Sequence, residues 1–199
     1  MDMVYDLGGL ITSPTITFKI ILTERRSFLY GLITLIIFSI ASATATLTLL
    51  VSAVSRVMPI PVVMPLGITA SLIALGVIGI LIVDIVLWLL RSVLTYSYVA
   101  LLKGAKRFDM ILLTHGYSKV SRVIYIIAVL VSTPMNVIAK FVIPLAAFAI
   151  TVIIELIIEV IGIAVTQNLS TGKAVASVLL SFLTLIILFM LPVMLPILL

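Results

Sequence analysis

Three carboxylates and one guanidinium interrupt stretches of this chain that are otherwise apolar enough to sit in lipid. Glu155 and Glu159 stand four residues apart in ITVIIELIIEV, residues 150–160, so on a helix they share a face. Asp84 and Arg91 stand seven apart in DIVLWLLR, two helical turns along one face. An ionisable group at the centre of a bilayer costs about 3 kcal/mol or more unless it is paired, hydrated or neutralised. Two like charges at i and i+4 add repulsion. Three acids against one arginine do not balance, so the pattern suits a proton or cation site lined by Asp84, Glu155 and Glu159. It also suits a polar knot in which Arg91, hydroxyls and backbone groups satisfy the carboxylates and fix helix packing. The knot is the reading the residues favour.

Other chemistries lack their parts. Cysteine is absent, which removes thiolate nucleophiles, disulfides and sulfur ligands. The single histidine, His115 in LTHGYSK, has no second histidine for a typical zinc site and reads as an interfacial structural residue. STGKA at 170–174 resembles the end of a phosphate loop, but Gln167 stands where the pattern wants glycine and Ala174 where it wants Ser or Thr. NLS at 168–170 matches a glycosylation acceptor and falls on the cytoplasmic side of the topology below. The chain is expected to be no enzyme, with no catalytic residue, cofactor or metal.

These groups must be positioned by membrane helices. Of 199 residues, 64% are hydrophobic and 10% charged, with a mean hydropathy of +1.48, more than a soluble domain of this size can bury. At about 20 apolar residues per crossing, clear spans fall at 28–54, 66–90, 141–165 and 175–199, and a marginal one at 111–131. The expected fold is therefore an all-α, polytopic transmembrane bundle of about five spans, residues 28–199, preceded by an N-terminal interfacial segment, 1–27. With five crossings, Lys19, Arg25, Arg26, Lys103, Lys106, Arg107, Lys119, Arg122 and Lys173 fall on one side, leaving Arg56 and Lys140 on the other. The positive-inside rule then puts the N-terminus in the cytoplasm and the C-terminus outside, in a plasma membrane. The net charge of +5 reads as loops held at anionic headgroups, not as a nucleic-acid surface.

No compact apolar leader precedes TERR, so the N-terminus is expected to stay attached. In SPTITFKIILTERRS, Ser13 is placed to cap a helix with Pro14 in its first turn, and Ile16, Ile20 and Ile21 recur near helical spacing, as in an amphipathic helix lying in the cytoplasmic interface. MPIPVVMP reads as a stiff outer loop. The second span runs without proline from Gly67 to Gly104, extending its helix to about 102 before KGAKRFD turns it back. In the first span, Ser39, Ala41, Ser42, Ala43, Ala45 and Thr46 are small enough for another helix to approach closely. On this topology Asp84, Glu155, Glu159 and Arg91 converge in the inner half of the bundle.

Three segments, SPTITFKIILTERRS, YVALLKGAKRFDMILLTHGYS and IIEVIGIAVTQNLSTGKAVASVLL, together resemble the Yip (Ypt/Rab-interacting protein) domain family. The pattern rests on Gly104, Phe108, Gly116, Tyr117, Gly162, Ser170, Gly172 and Lys173. The resemblance implies five spans and a cytoplasmic N-terminus. The long polar N-terminal region and DLYGP signature of the eukaryotic, vesicle-trafficking branch are missing, with Asp6, Leu7 and Gly8 a faint echo, so the chain looks like a compact prokaryotic member. The implied function is a scaffold or membrane-organising factor working through lipid headgroups, a protein partner or its own oligomer. The competing reading is a small proton or cation carrier using the three acids, and a third is a membrane subunit of a larger transporter.

Overall fold

In a computed structural model, which describes residues 2–57 and 66–198, the chain is all-helical, with no strand among the described residues. The loop MPIPVVMP lies outside them. The elements are α1 (Asp2–Thr12), α2 (Pro14–Thr23), α3 (Phe28–Val57), α4 (Leu66–Leu101), α5 (Phe108–Tyr117), a 3-10 turn (Ser118–Ser121), α6 (Arg122–Ser132), α7 (Val137–Thr166) and α8 (Thr171–Leu198). Four of them, α3, α4, α7 and α8, are long and apolar enough to cross a membrane, as expected for a multi-pass protein. The marginal span at 111–131 forms helix over 108–132, but as two helices joined by the 3-10 turn. Helix α4 is one rod of 36 residues, close to its expected extension to 102.

The chain divides into two compact units. The first comprises Met1–Leu32, Leu87–Ser118 and Leu156–Leu199. Its core is Val99, Ile111, Ile163, Ala174 and Val178, one or two residues from each of α4, α5, α7 and α8. The Trp88 indole N–H donates to the Leu112 carbonyl at 3.0 Å, satisfying a buried polar tip. Closest of all is a glycine crossing. A Cβ built on Gly116 would lie 2.3 Å from the Gly31 carbonyl oxygen, and one on Gly31 would lie 2.8 Å from the Leu113 Cα, so backbone packs on backbone where α5 meets the start of α3.

The N-terminal helices pack into this unit and correct one expectation. Helix α1 precedes the anticipated α2, and Ser13 makes no side-chain cap; its N–H donates to the Gly9 carbonyl and its carbonyl accepts from Thr17, nearly continuing one helix into the next. Ile16, Ile20 and Ile21 do not share one face. Thr17, Phe18 and Ile21 turn inward, whereas Ile16 and Ile20 stay exposed, because a helix rotates 100° per residue and sets 20 and 21 on different faces. The Tyr117 hydroxyl donates to Asp6 Oδ2 at 3.1 Å, tying α1 to the end of α5. Tyr117→Phe is expected to cost about 1 kcal/mol and to raise amide exchange across residues 2–12, read by hydrogen–deuterium mass spectrometry.

Helices α2, α4 and α7 end alike, on a left-handed residue: Arg25 (φ 51°), Lys103 (φ 62°) and Asn168 (φ 53°). Each is followed by an N–H bonding back five residues, Arg26 to Ile21, Gly104 to Val99 and Leu169 to Ala164. The turn after α4 therefore bends at Lys103 and Lys106 (φ 58°), not at Gly104, whose missing side chain instead makes room for Val99 and Leu169.

The second unit comprises Ile33–Val86 and Lys119–Glu155. Its core joins Ala45 and Leu49 of α3 to Val129 of α6, with Tyr125 packed against them. The Tyr125 ring meets Phe148 edge-on at 6.2 Å. Small residues of α3 serve close packing, as anticipated, with Ala43 and Ala45 buried.

Candidate functional site

The acids sit on long helices whose apolar neighbours hold them, and each has found a base. In the first unit Glu159 of α7 is fully buried. Arg91 Nη2 of α4 donates to its Oε2 at 2.5 Å, and Ser118 Oγ reaches its Oε1 at 3.1 Å. The Arg91 guanidinium also stacks over the Phe182 ring of α8, 5.3 Å from its centroid. His115, expected at an interface, is instead buried beside this pair with Nδ1 2.9 Å from Glu159 Oε1.

Hydroxyl protons settle the imidazole. Ser181 Oγ donates to the Val178 carbonyl at 2.8 Å, so Thr95 donates to Ser181 at 3.0 Å. Thr95 Oγ1 then accepts from His115 Nε2 at 3.0 Å, which places a hydrogen on Nε2. His115 Nδ1 then faces Glu159 Oε1 at 2.9 Å, an ion-pair distance when the imidazole is protonated.

In the second unit Arg122, the first residue of α6, grips Asp84 of α4 with both ends of its fork, Nη1 to Oδ2 at 2.5 Å and Nη2 to Oδ1 at 3.1 Å. Ser39 of α3 donates to the same Oδ2 at 2.6 Å and accepts from Arg122 Nη1 at 3.1 Å. Lys119, in the 3-10 turn, pairs with Glu155. Arg91 thus meets Glu159, while Asp84 and Glu155 take Arg122 and Lys119, two cations that the sequence alone does not pair with them. Lys119 in the 3-10 turn and Arg122 at the start of α6 stand three residues apart, about one helical turn, so they lie on one side.

The motif residues fall in the first unit. Phe108 meets Tyr96 edge-on at 5.5 Å. A Cβ on Gly162 would touch Thr114 and Phe18, so its bareness lets α2 and α5 seat on α7. Ser170 offers its carbonyl to the Ala174 N–H at the start of α8, and Lys173 Nζ donates to the Leu102 carbonyl at 3.4 Å. Gly172 faces open space. Gln167, noted in the sequence only for breaking a nucleotide pattern, is fully buried and clamps the turn 102–107: its Oε1 accepts from the Arg107 N–H at 3.0 Å, its Nε2 donates to the Arg107 carbonyl at 2.9 Å, and its own carbonyl accepts from Ala105. The clamped turn presents exposed Lys103 and Lys106, and Lys173 is exposed beyond it. No group of three or more metal-ligating side chains occurs among the described residues.

Compared with family models, with curated proteins and with solved structures, the chain matches none.

Proposed function

We propose that this integral membrane protein is a non-catalytic scaffold of Yip type, organising membrane or partner proteins through the cationic turns of its first unit. The observation that carries this reading is that Asp84, Glu155 and Glu159 each engage a basic side chain of a neighbouring helix or turn. Such cross-helix pairs fix the packing of the elements that carry them, and Asp84 is held by both arms of the Arg122 fork. The turn 102–107, pinned by Gln167, holds Lys103 and Lys106 outward with Arg107 beside them, a rigid cationic display suited to anionic headgroups of the cytoplasmic leaflet. The bare Gly116 and Gly162 let helices touch and give the scaffold its close packing.

A second reading has one observation in its favour, the buried imidazole of His115 set 2.9 Å from the Glu159 carboxylate. Proton and cation flux in liposomes separates the two. Wild-type protein and the Glu155→Gln, Glu159→Gln variant are both expected to give no flux above empty liposomes. Wild-type flux that vanishes in the variant would make these acids a conduction path and end the scaffold reading.

A further inference from the structure

Four cations crowd one end of the first unit. Lys103, Lys106 and Arg107 stand in the turn that follows α4, and Lys173 lies in the first turn of α8. The two segments are tied together. The Ala105 N–H donates to the Gln167 carbonyl at 2.8 Å, the Gln167 side chain grips the Arg107 backbone at both its N–H and its carbonyl, and Lys173 Nζ donates to the Leu102 carbonyl at 3.4 Å. Lys103, Lys106 and Lys173 are exposed, and Arg107 is half-buried. Among the described residues no carboxylate forms an ion pair with any of the four. The acid closest in sequence is Asp109, in the first turn of α5. Four cations against this one carboxylate leave an excess of positive charge on a surface whose spacing the backbone bonds fix.

The backbone adds an independent sign. Lys103 and Lys106 take φ of 62° and 58°, a conformation disfavoured for any residue with a Cβ, while Gly104 between them does not take it. At the matching end of α7 the left-handed residue is Asn168, a side chain that tolerates it better. Lysine brings nothing to such a backbone, so what it contributes is its charge.

The level of the cluster names its surroundings. Leu101, the last residue of α4, is 76% exposed, so this membrane-length helix carries an outward apolar side chain to its end, and the cations follow directly. Apolar surface and then cations is the order of acyl chain and anionic headgroup. A lipid with one phosphate meets part of the cluster, and each further lipid has to be immobilised separately. A lipid with two phosphates on one bridge delivers the second at high effective concentration.

We propose that the joined turns 102–107 and 167–173 bind a lipid headgroup carrying two phosphates, drawn from the leaflet at which α4 and α7 end. The inference rests on the scaffold reading, which puts these turns at a membrane surface, and narrows its lipid partner to one class.

The test is native mass spectrometry of the detergent-solubilised full chain, titrated with tetraoleoyl cardiolipin, whose two phosphodiesters share one glycerol bridge, or with dioleoyl phosphatidylglycerol at equal phosphate concentration. Cardiolipin is expected to bind at least about tenfold more tightly. The variant Lys103→Asn, Lys106→Asn removes two charges with a residue that suits the left-handed turns; it should keep the wild-type Tm and weaken cardiolipin about 25-fold, the product of two lysines at a membrane surface. Lys103→Arg, Lys106→Arg should bind as wild type, and Lys19→Gln, which removes an exposed cation of α2, should change nothing. Equal affinity for the two lipids, both weakened in the asparagine variant, would overturn the two-phosphate site and leave the cationic display of the scaffold standing. Cardiolipin binding indifferent to that variant would overturn both. A loss in Lys19→Gln as large as in the asparagine variant would reduce the effect to net charge, and displacement of cardiolipin by an equal concentration of inorganic pyrophosphate would assign the turns to a soluble diphosphate; either result overturns the proposal.

Discussion

Glu159→Leu is expected to lower the stability of the detergent-solubilised protein by about 3–5 kcal/mol, because it strands the Arg91 guanidinium without its carboxylate at a buried site. The corresponding fall in Tm is roughly 10 °C. Arg91→Leu should cost a similar amount by leaving Glu159 with less than its charge requires. The informative variant is the double one. With both charges gone, leucines of comparable bulk fill the space, and replacement of a buried pair by apolar residues is commonly neutral, so Arg91→Leu, Glu159→Leu should regain most of the loss in a thermal melt. If the double variant were as unstable as the sum of the singles, the pair would not be acting as one unit.

Gly116→Val is the second large effect. A Cβ at this position would stand 2.3 to 2.6 Å from the Gly31 carbonyl oxygen, carbonyl carbon and Cα, and these are main-chain atoms with no rotamer to yield. Helix α5 and the start of α3 would have to part, at a cost of about 3 kcal/mol or more. Gly79→Ala supplies the contrast. It faces open space on α4, so the substitution should be neutral or stabilising by up to about 1 kcal/mol through helix propensity. A melt series in which the two glycines behaved alike would refute the crossing.

Both effects bear on what a sequence can disclose. The long helices were legible because some 20 apolar residues in a row have few other uses, and the observed α3, α4, α7 and α8 lie within a few residues of the expected spans. The acids were legible for the same reason, since a carboxylate among isoleucines is conspicuous. Their partners were not. Asp84 and Arg91 share a face of α4 at seven-residue spacing, but that spacing separates them by ~10 Å, and partnership between helices depends on which faces pack. Lys119 and Arg122 looked like loop cations because the short apolar run begins beside them; the 3-10 turn that brings them to acids is not visible in hydropathy. His115 had no partner at helical spacing in the sequence. Gln167 carried the faint signal of a lone amide just after an apolar span. Of the N-terminal isoleucines, Ile21 turns inward while Ile16 and Ile20 stay exposed, a division that spacing alone does not assign.

The 3-10 turn has a consequence for how the protein is made. Segment 108–132 carries Lys119 and Arg122 among apolar residues, and a cation at the centre of an inserting helix costs about 2.5–3.5 kcal/mol on the insertion scale. Arg122 has its counter-charge on α4, already synthesised, whereas Lys119 has its own on α7, which leaves the ribosome later. Stable entry of this segment into lipid is therefore coupled to a helix that follows it, and a chain truncated after residue 136 should release it towards water when its exposure is read by cysteine labelling. On this expectation the Lys119–Glu155 pair ties the placement of segment 108–132 to α7.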